Sequence, residues 1–395
     1  MSFKNRFWVT AALGLCGQWV VFHLCHIHFP LPWNAILPGL GIFGAAFLLS
    51  WSAELAQIEI PQALALAFLA LVAVLPEYAV DIYFAWRAGK DPSYVAYATA
   101  NMTGSNRLLI GVGWPVVLFA YWLATRRRQI LLEPAQGIEI AALFVATLYS
   151  FVIPLKGTLS LIDTGVFLSL FGLYMFCASQ AQQVEPELGG PSEEIAALRV
   201  PTRRLVMMGF FLFAGVTIYL AAAPFAEGLL AIGRGWGIEE FLLVQWLAPL
   251  ASESPEFIVA ILFALRASAG AGLGTLVSSK VNQWTLLIGM LPLAYSLSAG
   301  HPAVMHLDGR QVEEIFLTSA QSLLAVSVLA NFRFEFWEAV VLLGLFAAQL
   351  ASPAPAVRYF FAGLYIALTA VLLFGRSDRR RSVRYLLTRS WRPSR

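Results

Sequence analysis

Charge is scarce in this sequence. Asp, Glu, Lys and Arg make up 12% of its 395 residues, about half the share of a soluble domain. A water-soluble fold of this size has too much surface to cover with so few charges. Three cysteines allow at most one bridge, which excludes a disulfide framework. No Walker motif, HExxH or nucleophile elbow occurs, so there is no visible means of hydrolysing a nucleotide. What is abundant is apolar: 59% of residues are hydrophobic and 13% aromatic. This balance excludes a soluble globule, a disordered chain and a nucleic-acid binder. It indicates an all-α polytopic membrane protein.

A span needs about 20 apolar residues. Twelve windows qualify, near 7–27, 34–52, 61–87, 93–124, 137–155, 158–179, 204–232, 238–265, 272–299, 312–331, 335–352 and 357–374. The first lacks a small-residue cleavage site and reads as a retained helix. With the N-terminus inside, Lys4, Arg6, Arg126, Arg127, Arg128, Arg199, Arg203, Arg204, Arg266 and Arg333 fall on the cytoplasmic side. So does the tail, with Arg376, Arg379, Arg380, Arg381, Arg384, Arg389, Arg392 and Arg395. Only Arg87, Lys90, Lys156, Arg234, Arg310 and Arg358 fall outside. The bias predicts both termini in the cytoplasm, with the protein in a bacterial inner (plasma) membrane. The tail reads as a topology signal in contact with lipid headgroups.

The polar stretch 180–203 divides the chain into halves that resemble each other. Each half has Ala-Glu at a helix end (Glu54, Glu227) and then an apolar run. A Pro-Glu pair follows (Pro76-Glu77, Pro255-Glu256), and then Phe-Ala-x-Arg-Ala (Phe84–Ala88, Phe263–Ala267). A second apolar segment then carries Leu-Leu-Ile-Gly (Leu108–Gly111, Leu286–Gly289). Five spans separate the start of one copy from the start of the next, so the copies face opposite ways, as in secondary transporters. The expected organisation is an extra N-terminal helix (1–30), a first repeat (33–179) and a cytoplasmic linker (180–203). A second repeat (204–352), an extra C-terminal helix (353–375) and a basic cytoplasmic tail (376–395) complete it.

Pro76 and Pro255 lie near the middle of their segments, where each frees a carbonyl about four residues back. Such carbonyls are tolerated at membrane depth only where they are buried or line a cavity. A carboxylate there costs about 2.5–3.5 kcal/mol even on the lenient insertion scale. Asp81 lies four residues after Glu77 and Glu253 three before Glu256, each pair on one helix face. Ser252 and Ser254 add hydroxyls. Ala100–Asn106 offers small residues for close packing and amide and hydroxyl oxygens suited to a hard cation. The second copy offers Ser278, Ser279, Lys280, Asn282 and Gln283.

A Pro-Glu helix followed by a Gly-Ser-Asn segment, in two inverted copies, resembles the α-repeats of the sodium/calcium exchanger (calcium:cation antiporter) superfamily. The first copy carries Leu75-Pro76-Glu77 and Asn101-Met102-Thr103-Gly104-Ser105-Asn106; the second carries Ser254-Pro255-Glu256 and Ser279-Lys280-Val281-Asn282 and is degenerate. The resemblance implies that Glu77 and Glu256 are the central cation ligands, with Asn101 as amide partner and Ser105 nearby. Asp81, Glu253, Ser252 and Asn282 complete the expected ion-binding set.

Ala73 and Val74 replace the family's hydroxyl pair, Lys280 stands where the family has Asn or Asp, and Arg107 replaces an apolar residue. Lys280 and Arg107 read as charge-compensating groups. Four carboxylates against these two cations leave about two negative charges, enough for one divalent ion or for Na⁺ or H⁺ exchange. The implied function is a secondary active cation antiporter, not an enzyme, exchanging Ca²⁺ and/or Na⁺ against Na⁺ or H⁺ by alternating access. Its partners are inorganic cations and membrane lipids. No cofactor beyond the transported cations is implied, and the pattern sets no oligomeric state. The rival reading is a transport-dead structural or regulatory membrane protein, its site locked by Lys280 and Arg107 salt bridges.

Other signals carry less. Gly39-Leu40-Gly41-Ile42-Phe43-Gly44 matches G-x-G-x-x-G inside an apolar span, where helix packing is the expected role. His23, Cys25, His26 and His28 read as an interfacial cluster, and His301, His306 and Asp308 as loop residues. Asp163 reads as a helix–helix hydrogen bond or part of a proton path. The charge bias predicts that a green fluorescent protein fused after Arg395 fluoresces in cells while alkaline phosphatase fused there stays inactive. The reverse pattern would invert the topology.

Overall fold

The structure is a computed structural model that describes residues 2–59, 75–180, 188–375, 377–389 and 391. In chain order its helices are α1 (Phe3–Leu24), α2 (Trp33–Glu59), α3 (Leu75–Ala88), α4 (Val95–Leu108) and α5 (Trp114–Thr125). Then come α6 (Gly137–Ser150), α7 (Val152–Lys156), α8 (Leu161–Ser179), α9 (Pro191–Ala196), α10 (Val200–Trp236) and α11 (Glu240–Leu265). The last six are α12 (Ala269–Asn282), α13 (Ile288–Ala299), α14 (Gly309–Leu329), α15 (Phe336–Gln349), α16 (Pro355–Gly375) and α17 (Ser377–Arg389). Two ribbons of two antiparallel strands join β1 (Gln129–Leu131) to β4 (Arg333–Glu335), and β2 (Thr158–Leu159) to β3 (Met305–His306).

Among the described residues, nine helical stretches are long and apolar enough to cross a membrane, and α15 is a shorter apolar helix. Of the expected segment 61–87, residues 61–74 with Ala73 and Val74 lie outside the described residues. The expected segment 272–299 forms one helical run, α12 passing through a π turn (Gln283–Leu287) into α13. A π turn (Leu109–Gly113) likewise joins α4 to α5. The chain forms two compact units, 1–84 with 183–256 and 85–182 with 257–395. Each unit draws on both halves of the sequence, and the boundaries fall inside α3 and α11, the two Pro-Glu helices.

In the first unit α2 packs against α1 and α10. A Cβ on Gly39 would lie 2.9 Å from the Phe225 ring, one on Gly41 2.9 Å from Trp19, and one on Gly44 2.8 Å from the Ala12 carbonyl. The glycine motif is therefore the surface that lets three helices approach closely, as expected of small residues in membranes. The linker is fastened to the same helices. Buried Glu54 of α2 accepts from the Gly189 N–H (3.0 Å) and the Ser192 hydroxyl. Asn5 donates to Glu194 (2.7 Å) and to the Gly190 carbonyl (3.1 Å). Glu59 pairs with Arg203 and Arg204. Glu227, the repeat mate of Glu54, accepts from the Tyr83 hydroxyl (2.7 Å).

In the second unit the buried helix α14 packs against α4, α6 and α16. The β1–β4 ribbon occupies the connection at Arg333 between the expected segments 312–331 and 335–352. Asp163 makes the expected helix–helix hydrogen bond, with Tyr149 of α6, and is also a cap. It accepts from the Ser160 N–H (2.7 Å) and hydroxyl (2.9 Å), closing the first turn of α8, and it pairs with Lys156 and the Tyr149 hydroxyl. Asp91 caps the turn before α4, and the Ser93 hydroxyl (2.8 Å) and N–H (3.1 Å) hold its carboxyl below the usual carboxylate range.

The tail corrects its sequence reading at one residue. Arg379 is fully buried. It donates to the Ser327 (2.8 Å) and Val328 (2.6 Å) carbonyls at the end of α14 and pairs with buried Glu338. Those carbonyls lack amide partners within their own helix. Arg379 thus fastens α17 to the bundle, while Arg380, Arg381 and Arg384 stay exposed.

Gly44→Ala is expected to lower stability by about 1–3 kcal/mol, because the new methyl meets backbone that cannot retreat. Gly17→Ala, with open space around its Cβ, should change stability little. Thermal unfolding of the purified protein in detergent checks both.

Candidate functional site

The acidic half of the expected ion-binding set lies on two helices of the first unit. Glu77 and Asp81, four residues apart on α3, are buried at 2% and 0% exposure. On α11, Ser252 and Glu253 are buried and Glu256 is half-buried. α11 runs unbroken through both Pro249 and Pro255, and Pro255 removes the amide partner of the Ala251 carbonyl. Ser252 donates to the Ala248 carbonyl (3.2 Å), and Ser254 to Leu250. A hydroxyl whose proton points back along its own helix keeps its lone pairs for an incoming cation.

The amide and hydroxyl half lies in the second unit. All but two residues of α4 are buried. A helix with no lipid-facing side can carry the polar run from Asn101 to Arg107 where a lipid-facing one could not. Thr103 and Ser105 again donate to their own helix, at Thr99 (2.7 Å) and Met102 (3.3 Å). Asn101 is 1% exposed, and among the described residues neither its amide nitrogen nor its oxygen has a hydrogen-bond partner. An unmatched amide at this depth fits a residue awaiting a ligand.

Lys280, on α12, is fully buried. It donates to the Asn106 side-chain oxygen (2.6 Å) and lies 4.3 Å from the centre of the Trp284 ring. Asn106 in turn donates to the Met102 carbonyl (2.7 Å). The two motif segments of the second unit, 100–107 and 278–283, are thus joined through a lysine–asparagine contact. Asn282, two residues on, is also buried.

Arg107 has a partner that the sequence reading missed. It pairs with Glu314 of α14, which also pairs with Arg358 of α16 (2.9 Å); Arg358 further binds Glu313 (2.8 Å). Two cations and two anions are paired here, half-buried Arg310 interacts electrostatically with Glu313, Glu314 and Arg358, and Gln321 donates to the Arg107 carbonyl (3.3 Å). Glu313 and Glu314 were visible as adjacent acids opening an apolar segment, but the first charge count omitted them. Glu139 of α6, also overlooked, shares hydrogen bonds with the Ser278 and Tyr174 hydroxyls. His23 is half-buried and Cys25, His26 and His28 are exposed. Among the described residues, no group of three or more His, Cys, Asp or Glu could hold one metal ion.

Comparison with known proteins identifies the family. The family profile described as sodium/calcium exchanger protein matches residues 33–180 and 206–352. The chain belongs to the sodium/calcium exchanger family. Its members are secondary transporters, and the all-helical polytopic fold is theirs. A search of curated proteins returned no match. Among solved structures, the H⁺/Ca²⁺ exchanger CAX is 46% identical, covers 98% of this chain and 99% of its own, and superposes with a TM-score of 0.92. YfkE is 14% identical over 92% of this chain and 99% of its own, with a TM-score of 0.60. The sodium-calcium exchanger NCX_Mj is 17% identical over 82% of this chain and 99% of its own, with a TM-score of 0.55. These last two share the fold.

Arg107→Met removes the cation paired with Glu314 and is expected to cost about 3–5 kcal/mol. Arg107→Met/Glu314→Met restores neutrality and should recover most of the loss. Strictly additive losses in a double-mutant cycle of thermal melts would show the pair to be uncoupled.

Proposed function

We propose that the protein is a secondary active antiporter that exchanges Ca²⁺ against H⁺. This is one member of the wider range, Ca²⁺ and/or Na⁺ against Na⁺ or H⁺, implied by its motifs. The observation that carries the choice is its 46% identity to the H⁺/Ca²⁺ exchanger CAX across 98% of the chain. In this reading Glu77 and Glu256 are the charged ligands, and Asp81 and Glu253 strengthen the local negative field. Asn101, Ser105, Ser252 and Asn282 supply neutral oxygens. Oxygen ligands of this kind replace the hydration shell of a hard cation, and carboxylates set its charge preference. Carboxylates also take up protons, so one site serves both ions in turn, exposed alternately to the two sides as two inverted repeats rock around it. Lys280 offsets part of the negative charge and favours release of the divalent ion. The organisation into repeats 33–179 and 204–352, with both termini in the cytoplasm of a bacterial cell, is part of the same proposal.

The rival reading, a locked and transport-dead protein, has less support. Arg107 already serves the Glu313–Glu314–Arg358 set.

The test is flux in proteoliposomes. An imposed pH gradient should drive ⁴⁵Ca²⁺ uptake, and Glu77→Gln and Glu256→Gln should each reduce it at least about a hundredfold, as removal of a charged ligand from a low-dielectric site does. Lys280→Asn should retain transport with an altered apparent affinity for Ca²⁺. Wild-type flux that ignores the gradient and is unchanged in both glutamine variants would refute the proposal.

A further inference from the structure

Two cavities of the second unit meet at one tryptophan. The first, of about 970 Å³, is lined by Tyr121, Arg127, Arg128, Gln129, Glu335 and Trp337 among others. The second, of about 390 Å³, is apolar and lies between α14, α15 and α16, lined by Val328, Trp337, Val341, Leu368, Val371 and Leu372 among others. Trp337 belongs to both. It is 42% exposed, and its indole N–H donates to the Glu335 carboxylate. A tryptophan with its ring on an apolar groove and its N–H on a polar group is typical of the membrane–water interface.

The polar cavity is basic. Arg127 and Arg128 are exposed, as is Arg333 on the strand paired with β1. Glu335 is the one acid lining it among the described residues. That carboxylate is engaged twice, by Trp337 and by the first turn of α15, which it caps. The apolar groove starts at the same level, between Trp337 and Gly375. It runs inward along α16 to Leu368, seven residues or about 10 Å of helix. Its polar end is closed by Glu338, already satisfied by Arg379 and the Glu335 N–H. Just beyond, α17 exposes Arg380, Arg381 and Arg384.

A basic polar chamber and an apolar groove on either side of an interfacial tryptophan match an amphiphile with an anionic head. We infer that this face binds an anionic glycerophospholipid, its phosphate at Arg127 and Arg128 and an acyl chain along Val341, Leu368 and Val371. Charge complementarity selects the head, because arginines at the membrane surface attract anionic lipid. The groove selects the chain. The site goes beyond the antiport reaction and does not depend on it.

Thermal melts of the purified protein in a neutral detergent test it, with titrations of phosphatidylglycerol, phosphatidylcholine and glycerol 3-phosphate. Phosphatidylglycerol should stabilise saturably at about a tenfold lower concentration than phosphatidylcholine, and glycerol 3-phosphate should have no effect. Arg127→Gln/Arg128→Gln should bring phosphatidylglycerol to the level of phosphatidylcholine, while Arg127→Lys/Arg128→Lys keeps most of the preference. Val371→Trp, which fills an exposed part of the groove, should weaken both lipids. Equal lipid titrations, a preference that survives the double glutamine variant, or a shift by glycerol 3-phosphate equal to that by phosphatidylglycerol would each overturn the inference.

Discussion

An ionised side chain at membrane depth has lost its hydration, and the protein has to supply fixed partners in place of that water. This constraint orders the second unit. Arg107, Glu313, Glu314 and Arg358 neutralise one another across three helices. Lys280 is held by Asn106 and the face of Trp284. Arg379 takes up both a carboxylate and two helix-end carbonyls. Each arrangement fixes the helices that contribute to it, because losing one member strands the others in a medium that cannot rehydrate them. The polar run on α4 is held in place by the neighbours that stabilise Arg107 and Asn106.

Against that background the unsatisfied groups stand out. Asn101 sits in a helix where Thr103, Ser105 and Asn106 all have hydrogen-bond partners, yet its own amide has none among the described residues. The α11 helix adds the carbonyl freed by Pro255 and hydroxyls turned so that their lone pairs face away from their own backbone. An exchanger needs this kind of incompleteness. Ligands that were fully satisfied within the protein would have no reason to accept an ion, and ligands too poorly satisfied would not let one go.

Much of this could be read from the sequence, for a physical reason. Membrane residence writes itself into composition, and the two Pro-Glu pairs are conspicuous because proline and carboxylate are both costly in an apolar span. The glycine motif of α2 was correctly assigned to packing, since it lacked the strand that a nucleotide site requires. What stayed hidden was partnership. Arg107 and Glu314 are far apart in the chain, and nothing local to either says which charge it meets. Arg379 looked like one more basic residue in a basic tail. Its burial depends on the end of α14 lying close by, which only the tertiary fold determines. Residues 61–74 fall outside the described residues, so the freed carbonyl expected near residue 72 has no structural account.

The two π turns have a further consequence. Each follows a polar, buried stretch, α4 in one case and α12 in the other. A π turn holds one residue more than an α turn, so the helix beyond it is rotated by about 100° relative to an unbroken one. The same rod can therefore turn polar atoms toward its neighbours along one part and hydrocarbon toward another environment along the next. It also means that a helical wheel drawn across the whole rod superimposes two faces that never coincide in space. A span of this kind looks unpatterned on paper because it contains two patterns out of phase.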